Sequence, residues 1–292
     1  MFAGSMVAVV TPMADDGSVD APAWQRLIEW HIAQGTDAIV VAGTTGESPT
    51  LTPAEVASLT EQALRICGGR IPVIVGTGTN STASTVERTR TLSRSGVAGV
   101  LIVTPYYNRP SQEGLYRHFT AAADASEVPV IAYNVPSRTA VDLLPATLAR
   151  LAAHARIVAV KEAAGQVGRV REILDCTPRG FTVLAGEDAI ARQCMLAGAR
   201  GVISVTANVA PRSMHELVLA ATRGDAVRAE EIDATLADLH ARLFVEANPI
   251  PVKWALAEMG MIGRGIRLPL TPLAREHHQA VRAALKRAGA LN

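Results

Sequence analysis

The sequence predicts an α/β fold: a (β/α)8 TIM barrel with a C-terminal helical extension. Eight short runs rich in Val and Ile recur along the chain, and each ends in a cluster of Gly, Thr, Pro or Asn. Between them lie segments with helical periodicity and Ala, Leu, Glu and Arg content. Most of the runs are continuously apolar instead of alternating, as expected of parallel strands covered on both faces. Eight such βα units close naturally into a barrel, with an open doubly wound sheet as the competing architecture.

The expected strands are Met6 to Val10, Ala38 to Val41, Pro72 to Val75, Gly99 to Val103, Val128 to Tyr133, Ile157 to Lys161, Phe181 to Leu184 and Gly201 to Ser204. The expected helices are Ala21 to Gln34, Pro53 to Cys67, Ser84 to Ser95, Gln112 to Ala125, Leu144 to Ala153, Val167 to Leu174 and Asp188 to Ala197, several preceded by Ser, Thr or Asp suited to capping. From about Pro211 only helical patterns remain, broken at Asn248-Pro249-Ile250-Pro251 and around Gly260 to Pro272. The division expected from this is a barrel over residues 1–224 and a helical domain over residues 225–292.

A chain of 292 residues with 49% hydrophobic and 19% charged residues buries a large core and is not a disordered protein. Its net charge of +1 gives no overall field to hold nucleic acid or an anionic bilayer, so a small-molecule partner is expected. Cys67, Cys176 and Cys194 are widely spaced and free of C-x-x-C pairs, and the start of the chain lacks a basic leader pattern, which together suggest a cytoplasmic protein. The seven histidines show no ligand spacing, and no bound metal is expected.

In a barrel of this type the active site lies at the C-terminal ends of the strands. Those positions carry Gly43-Thr44-Thr45-Gly46-Glu47, Thr104-Pro105-Tyr106-Tyr107-Asn108, Tyr133-Asn134-Val135-Pro136-Ser137-Arg138, Lys161-Glu162 and Gly186-Glu187-Asp188. Only three of the 28 basic residues are lysines, Lys161, Lys253 and Lys286, and Lys161 ends a strand run. A poorly solvated amine there loses its proton readily and attacks carbonyls to form a Schiff base. The competing reading is a structural lysine paired to a carboxylate such as Glu162. Three of the four tyrosines, Tyr106, Tyr107 and Tyr133, also fall at strand ends. A phenol beside an imine moves protons if a hydroxyl such as that of Thr44 supplies it, although a tyrosine hydroxyl at such a place also serves to satisfy a loop backbone group. The Gly43 to Ser48 turn suits an anion, with a carboxylate and a phosphate as rival occupants, and Arg138 suits a carboxylate.

These motifs, with Gly201-Val202-Ile203-Ser204-Val205 and Asn248-Pro249-Ile250-Pro251-Val252-Lys253, make the chain resemble the dihydrodipicolinate synthase family of Schiff-base-forming, pyruvate-dependent lyases and aldolases along essentially its whole length. The resemblance implies condensation of pyruvate with L-aspartate 4-semialdehyde to 4-hydroxy-tetrahydrodipicolinate, toward diaminopimelate and lysine, without a cofactor. It further implies that Lys161 forms the imine and that Tyr133 is the acid/base group. Thr44 would link Tyr133 to a Tyr107 arriving from a neighbouring subunit of a homotetramer, a dimer of dimers. Thr45 would hold the pyruvate carboxylate, Arg138 that of the semialdehyde, and Gly186 and Ile203 would line the pocket through backbone groups. Where lysine-inhibited members carry histidines and a glutamate, this chain has Pro53, Val56 and Ser84, while Ser48, Asn80 and Tyr106 remain; weak or absent inhibition by lysine is expected. The alternatives are a sugar-acid or sialic-acid aldolase of the same superfamily, against which Arg138 weighs, and an inactive ligand-binding barrel.

Overall fold

The computed structural model describes residues 2–291. Eight strands, β1 (Gly4–Ala8), β2 (Ala38–Val41), β3 (Val73–Gly76), β4 (Gly99–Val103), β5 (Val130–Asn134), β6 (Ile157–Glu162), β7 (Thr182–Ala185) and β8 (Gly201–Ser204), form a closed parallel barrel in sequence order. Each expected strand is present, with some ends shifted by one or two residues, and three of these shifts have a plain local cause. Pro72 and Pro129 have no N–H to donate, so β3 and β5 begin after them. Val9 and Val10 leave β1 because the amide of Val10 donates to Asn208 Oδ1 at 3.0 Å.

Successive side chains along a strand point to opposite faces, so each strand feeds two separate cores. Met6, Ala8, Val40, Ile74, Leu101, Ile131, Leu184 and Ile203 fill the barrel interior. Val7, Ile39, Val41, Val75, Ile102, Val160 and Val202 face outward into the larger core beneath the helices. Both faces of these strands are dry, which is why their sequences read as unbroken apolar runs.

The outer ring comprises α1 (Ala21–Ala33), α2 (Pro53–Cys67), α3 (Thr82–Leu92), α4 (Gln112–Asp124), the single turn α5 (Pro136–Thr139), α6 (Pro145–Leu151), α7 (Gly168–Cys176), α8 (Ala191–Leu196) and α9 (Pro211–Thr222). Asp20, Thr52, Ser81 and Ser111 cap α1 to α4, each side chain accepting a bond from a backbone amide of the first turn. Ser81 therefore starts α3 two residues before the position expected from periodicity. Three helices follow the barrel: α10 (Ala226–Arg242), α11 (Ile250–Glu258) and α12 (Arg275–Arg287). Helix α10 lies against α8 and α9, and α12 against α10 and α11, where Trp254 stacks on His278 with ring centroids 4.5 Å apart. Buried residues of these helices, such as Leu236, Leu239, Trp254 and Leu285, continue the outer core of the barrel. No helix among the described residues is long and apolar enough to cross a membrane.

The top of β3 tolerates no side chain: a Cβ on Gly76 would sit 2.2 Å from the carbonyl oxygen of Ala42, at the base of the loop that follows β2. Gly76→Ala should therefore destabilise the fold by about 2 kcal/mol or more, as overpacking against rigid backbone does. Urea unfolding checks this, and a midpoint equal to that of the wild type would contradict the packing described.

Candidate active site

The C-terminal ends of the strands surround a cavity of about 700 Å³ lined by Thr44, Thr45, Tyr133, Arg138, Lys161, Gly186 and Glu187, among others. Lys161 is only 5% exposed. It points inward because it shares a face with Ala159 and Ala163, and its Nζ lies 4.2 Å from the ring centroid of Tyr133. The two are neighbours because β5 and β6 pair Tyr133 with Lys161 in register. Among the described residues Lys161 has no carboxylate within ion-pairing distance. Glu162 projects from the opposite face of β6, where Asn134 and the amide of Ala164 hold it.

The other two lysines are accounted for differently. Lys253 of α11 is buried against Glu47, with which it forms an ion pair, and Lys286 is exposed on α12. Burial holds Lys253 below the ordinary lysine pKa, opposed by its attraction to Glu47. Among the described residues, Lys161 is thus the one buried amine that faces a cavity without a counter-ion.

Thr44 and Thr45 belong to a 3-10 turn after β2, closed by Glu47 in a left-handed conformation with φ of 58°. That carboxylate accepts from Lys253 and, at 3.1 Å, from the amide of Arg267, so the C-terminal helices anchor the turn. Thr45 Oγ1 accepts a 3.0 Å bond from Asn248 Nδ2. Arg138, on α5, lies at the mouth, donating to the carbonyl of Asn248 at 3.4 Å. Gly186 permits the end of β7 to close on β6, since a Cβ there would meet Ala163 at 2.7 Å, and its amide donates to Glu162 O at 2.8 Å.

Two of the sequence-expected residues stand apart. Ile203 is wholly buried in the inner core and is not among the cavity-lining side chains. Tyr107 is 89% exposed, is not among the residues lining this chain's own cavity, and holds a strained φ of 74°. A second hollow of about 430 Å³ adjoins the first through Thr44, Val135 and Arg138; it is lined by Ser48, Asn80, Ser84, Arg88 and Tyr106, and no carboxylate lines it.

An inward lysine beside a tyrosine ring lies at the C-terminal end of a closed parallel barrel, where the sequence motifs converge. Residues 1–288 match the Dihydrodipicolinate synthetase family. The chain belongs to that family. It is 54% identical over 291 residues, the full length of both chains, to the 4-hydroxy-tetrahydrodipicolinate synthase of Alkalilimnicola ehrlichii. Its identity to the synthase of Thiobacillus denitrificans is 53% over 285 residues, covering 98% of this chain and 96% of that one. Its fold superposes with a TM-score of 0.98, at 49% identity over all of both chains, on the chloride-inhibited dihydrodipicolinate synthase of Acinetobacter baumannii complexed with pyruvate.

Part of this dihydrodipicolinate synthetase site escaped the sequence reading. His240, Phe244, Glu246 and Asn248, from the end of α10 and the segment after it, form one wall of the cavity. Nothing in a helical periodicity announces that the last turn of a C-terminal helix reaches the barrel mouth. Asp188 likewise ties the ends of β7 and β8 together, accepting from the amides of Val205 and Thr206 at 2.9 and 2.8 Å.

Glu162 is the most perturbed carboxyl near the site. Burial pushes it from an ordinary 4.5 up to about 7, against the hydrogen bonds from Asn134 and the Ala164 amide. Asp142 and Arg169 face it across Asn134, and Cys194 approaches from α8. A carboxyl whose folded pKa is raised favours folding below its unfolded value and loses that contribution as pH climbs through the folded one. Between pH 4.5 and about 8, the wild type should therefore lose on the order of 3 kcal/mol relative to Glu162→Gln. Parallel pH profiles of urea-unfolding free energy for the two proteins would contradict this.

Proposed function

We propose that this chain has 4-hydroxy-tetrahydrodipicolinate synthase activity, condensing pyruvate with L-aspartate 4-semialdehyde through a Schiff base on Lys161. The observation that carries the reading is the buried Lys161 amine, without a counter-ion, against the Tyr133 ring in the cavity. Its nitrogen attacks the ketone carbon of pyruvate, and water leaves as the imine forms. The iminium withdraws electrons from the methyl carbon, which gives up a proton and becomes an enamine nucleophile. That carbon attacks the aldehyde of the second substrate. The amino group of the adduct then closes on the imine carbon, releasing Lys161 and the cyclic product. One water is lost overall, and the iminium itself is the electron sink, so the reaction calls for no cofactor.

Tyr133, whose ring lies against the amine, is the group suited to moving these protons, and Thr44 lines the same cavity as the hydroxyl that would supply it. Tyr107 completes the relay only from a second copy of the chain, which fits an exposed, strained residue with no place in its own cavity. A second copy is thus needed, and on the family resemblance we propose a homotetramer built as a dimer of dimers, acting in the cytoplasm. Thr45, fixed by Asn248, receives the pyruvate carboxylate, Arg138 at the mouth receives that of the semialdehyde, and Gly186 and Ile203 shape the site through their backbone.

Borohydride reduction with pyruvate, followed by peptide mapping, should place a pyruvyl group on Lys161. Attachment at Lys253 or Lys286 would overturn the mechanism, as would retention of full activity in Lys161→Ala. Tyr133→Phe should slow trapping about a hundredfold or more while leaving the fold intact. The hollow beside the site, with Arg88 and Ser84 and no carboxylate on its walls, offers nothing to pair the side-chain ammonium of lysine. L-Lysine should accordingly inhibit weakly or not at all, and an inhibition constant like that of sensitive relatives would refute this.

A further inference from the structure

The inner-face pair Tyr133 and Lys161 has a counterpart on the outer face of the same two strands. The ladder that pairs Tyr133 with Lys161 pairs Asn134 with Glu162 one residue on. Asn134 is fully buried and Glu162 nearly so, in a layer where the strands otherwise present Val, Ile and Ala. Asn134 Nδ2 donates to both Glu162 oxygens at 3.1 Å and to Asp142 Oδ1 at 2.7 Å, while its Oδ1 accepts from the amide of Leu143 at 2.9 Å. Glu162 Oε1 accepts from the amide of Ala164 at 2.7 Å, and Arg169 of α7 holds Asp142 at 2.9 Å. A polar chain therefore runs from α7 through the loop after α5 to the loop after β6.

A buried carboxylate is costly, and replacing such a group with an apolar one of similar volume is often neutral or stabilising, so its presence calls for a role other than stability. The β5–β6 ladder supplies that role. Its register shifts between Val130 and Ile131, so the pairing at the bottom of the strands does not by itself dictate the pairing at the top. A one-residue slip would turn Lys161 or Tyr133 out of the cavity. The side-chain bonds between Asn134 and Glu162 lie above that irregularity, directly behind the reacting pair.

We propose that Asn134 and Glu162 are positioning residues, which lock β5 to β6 from behind and so hold the Lys161 amine and the Tyr133 phenol in reactive alignment. This rests on the Schiff-base reading above. Their bonds to Leu143 and Ala164 also fix the two loops that carry Arg138 and Ala163 into the cavity.

The test uses the full chain and compares wild type, Glu162→Leu, Glu162→Gln and Asn134→Ser. Borohydride-quenched pyruvyl transfer to Lys161, kcat, pyruvate KM and thermal midpoint are measured for each. Glu162→Leu should unfold cooperatively at or above the wild-type midpoint, yet form the adduct and turn over about tenfold or more slowly, with KM changed by less than about threefold. Glu162→Gln, which keeps an acceptor for Asn134 and Ala164, should return both rates to within about threefold of wild type. Asn134→Ser, which leaves the Ala164 bond in place, should be slow as well, and it decides the matter if Glu162→Leu fails to fold. Wild-type trapping rates in Glu162→Leu or in Asn134→Ser would overturn the proposal, as would a Gln variant no faster than the Leu variant. A wild-type protein that acquires no adduct on Lys161 would instead overturn the Schiff-base reading itself.

Discussion

The period-two alternation of a strand that is dry on both faces governs everything this chain does at its barrel mouth. In β6 it sends Ala159 and Lys161, with Ala163 just past its end, inward and Val160 and Glu162 outward. In β5 it sends Ile131, Tyr133 and Val135 inward and Ala132 and Asn134 outward. Two neighbouring strands thus deliver an amine and a phenol to one side of the barrel wall, and a carboxyl and an amide to the other. Neither pair tolerates displacement, because a slip of one residue exchanges the faces.

The separation of charges follows from that geometry. An amine that shares a buried space with a carboxylate has a counter-ion there; one that meets an aromatic face and a cavity has none. Lys253 illustrates the first situation, sealed against Glu47 in a structural ion pair. Lys161 illustrates the second, its adjacent glutamate being engaged behind the strand by Asn134 and Ala164. The same residue type in the same chain is therefore ion-paired in one place and left facing an open cavity in the other, according to what surrounds it.

The C-terminal helices take part in the site as well as extending the core. Lys253 and Arg267 fix the carboxylate of Glu47, which closes the turn bearing Thr44 and Thr45, and Asn248 bonds Thr45 directly. Arg267 also reaches Glu55 and the carbonyls of Gly17 and Thr50, tying the loop after β1 to the start of α2. A turn held from two sides is preorganised, and its hydroxyls are ordered before anything enters the cavity.

The sequence by itself determined the eight strands, the barrel, the family and the strand-end positions of Lys161, Tyr133, Thr44, Thr45, Arg138 and Gly186. Continuous Val and Ile runs, caps and breakers are local signals, and they survive without knowledge of what packs on what. Strand ends moved by one or two residues, at two starts because a proline lacks its N–H and at the end of β1 because Asn208 captures an amide. Tertiary structure alone decided that Asn134 engages Glu162 behind the barrel wall, and that residues 244–248 wall the cavity. It alone showed that Tyr107 leaves its own cavity unfilled and that Ile203 lies within the inner core. Each of these depends on which distant segment occupies the adjoining space, and spacing along one chain carries no measure of that.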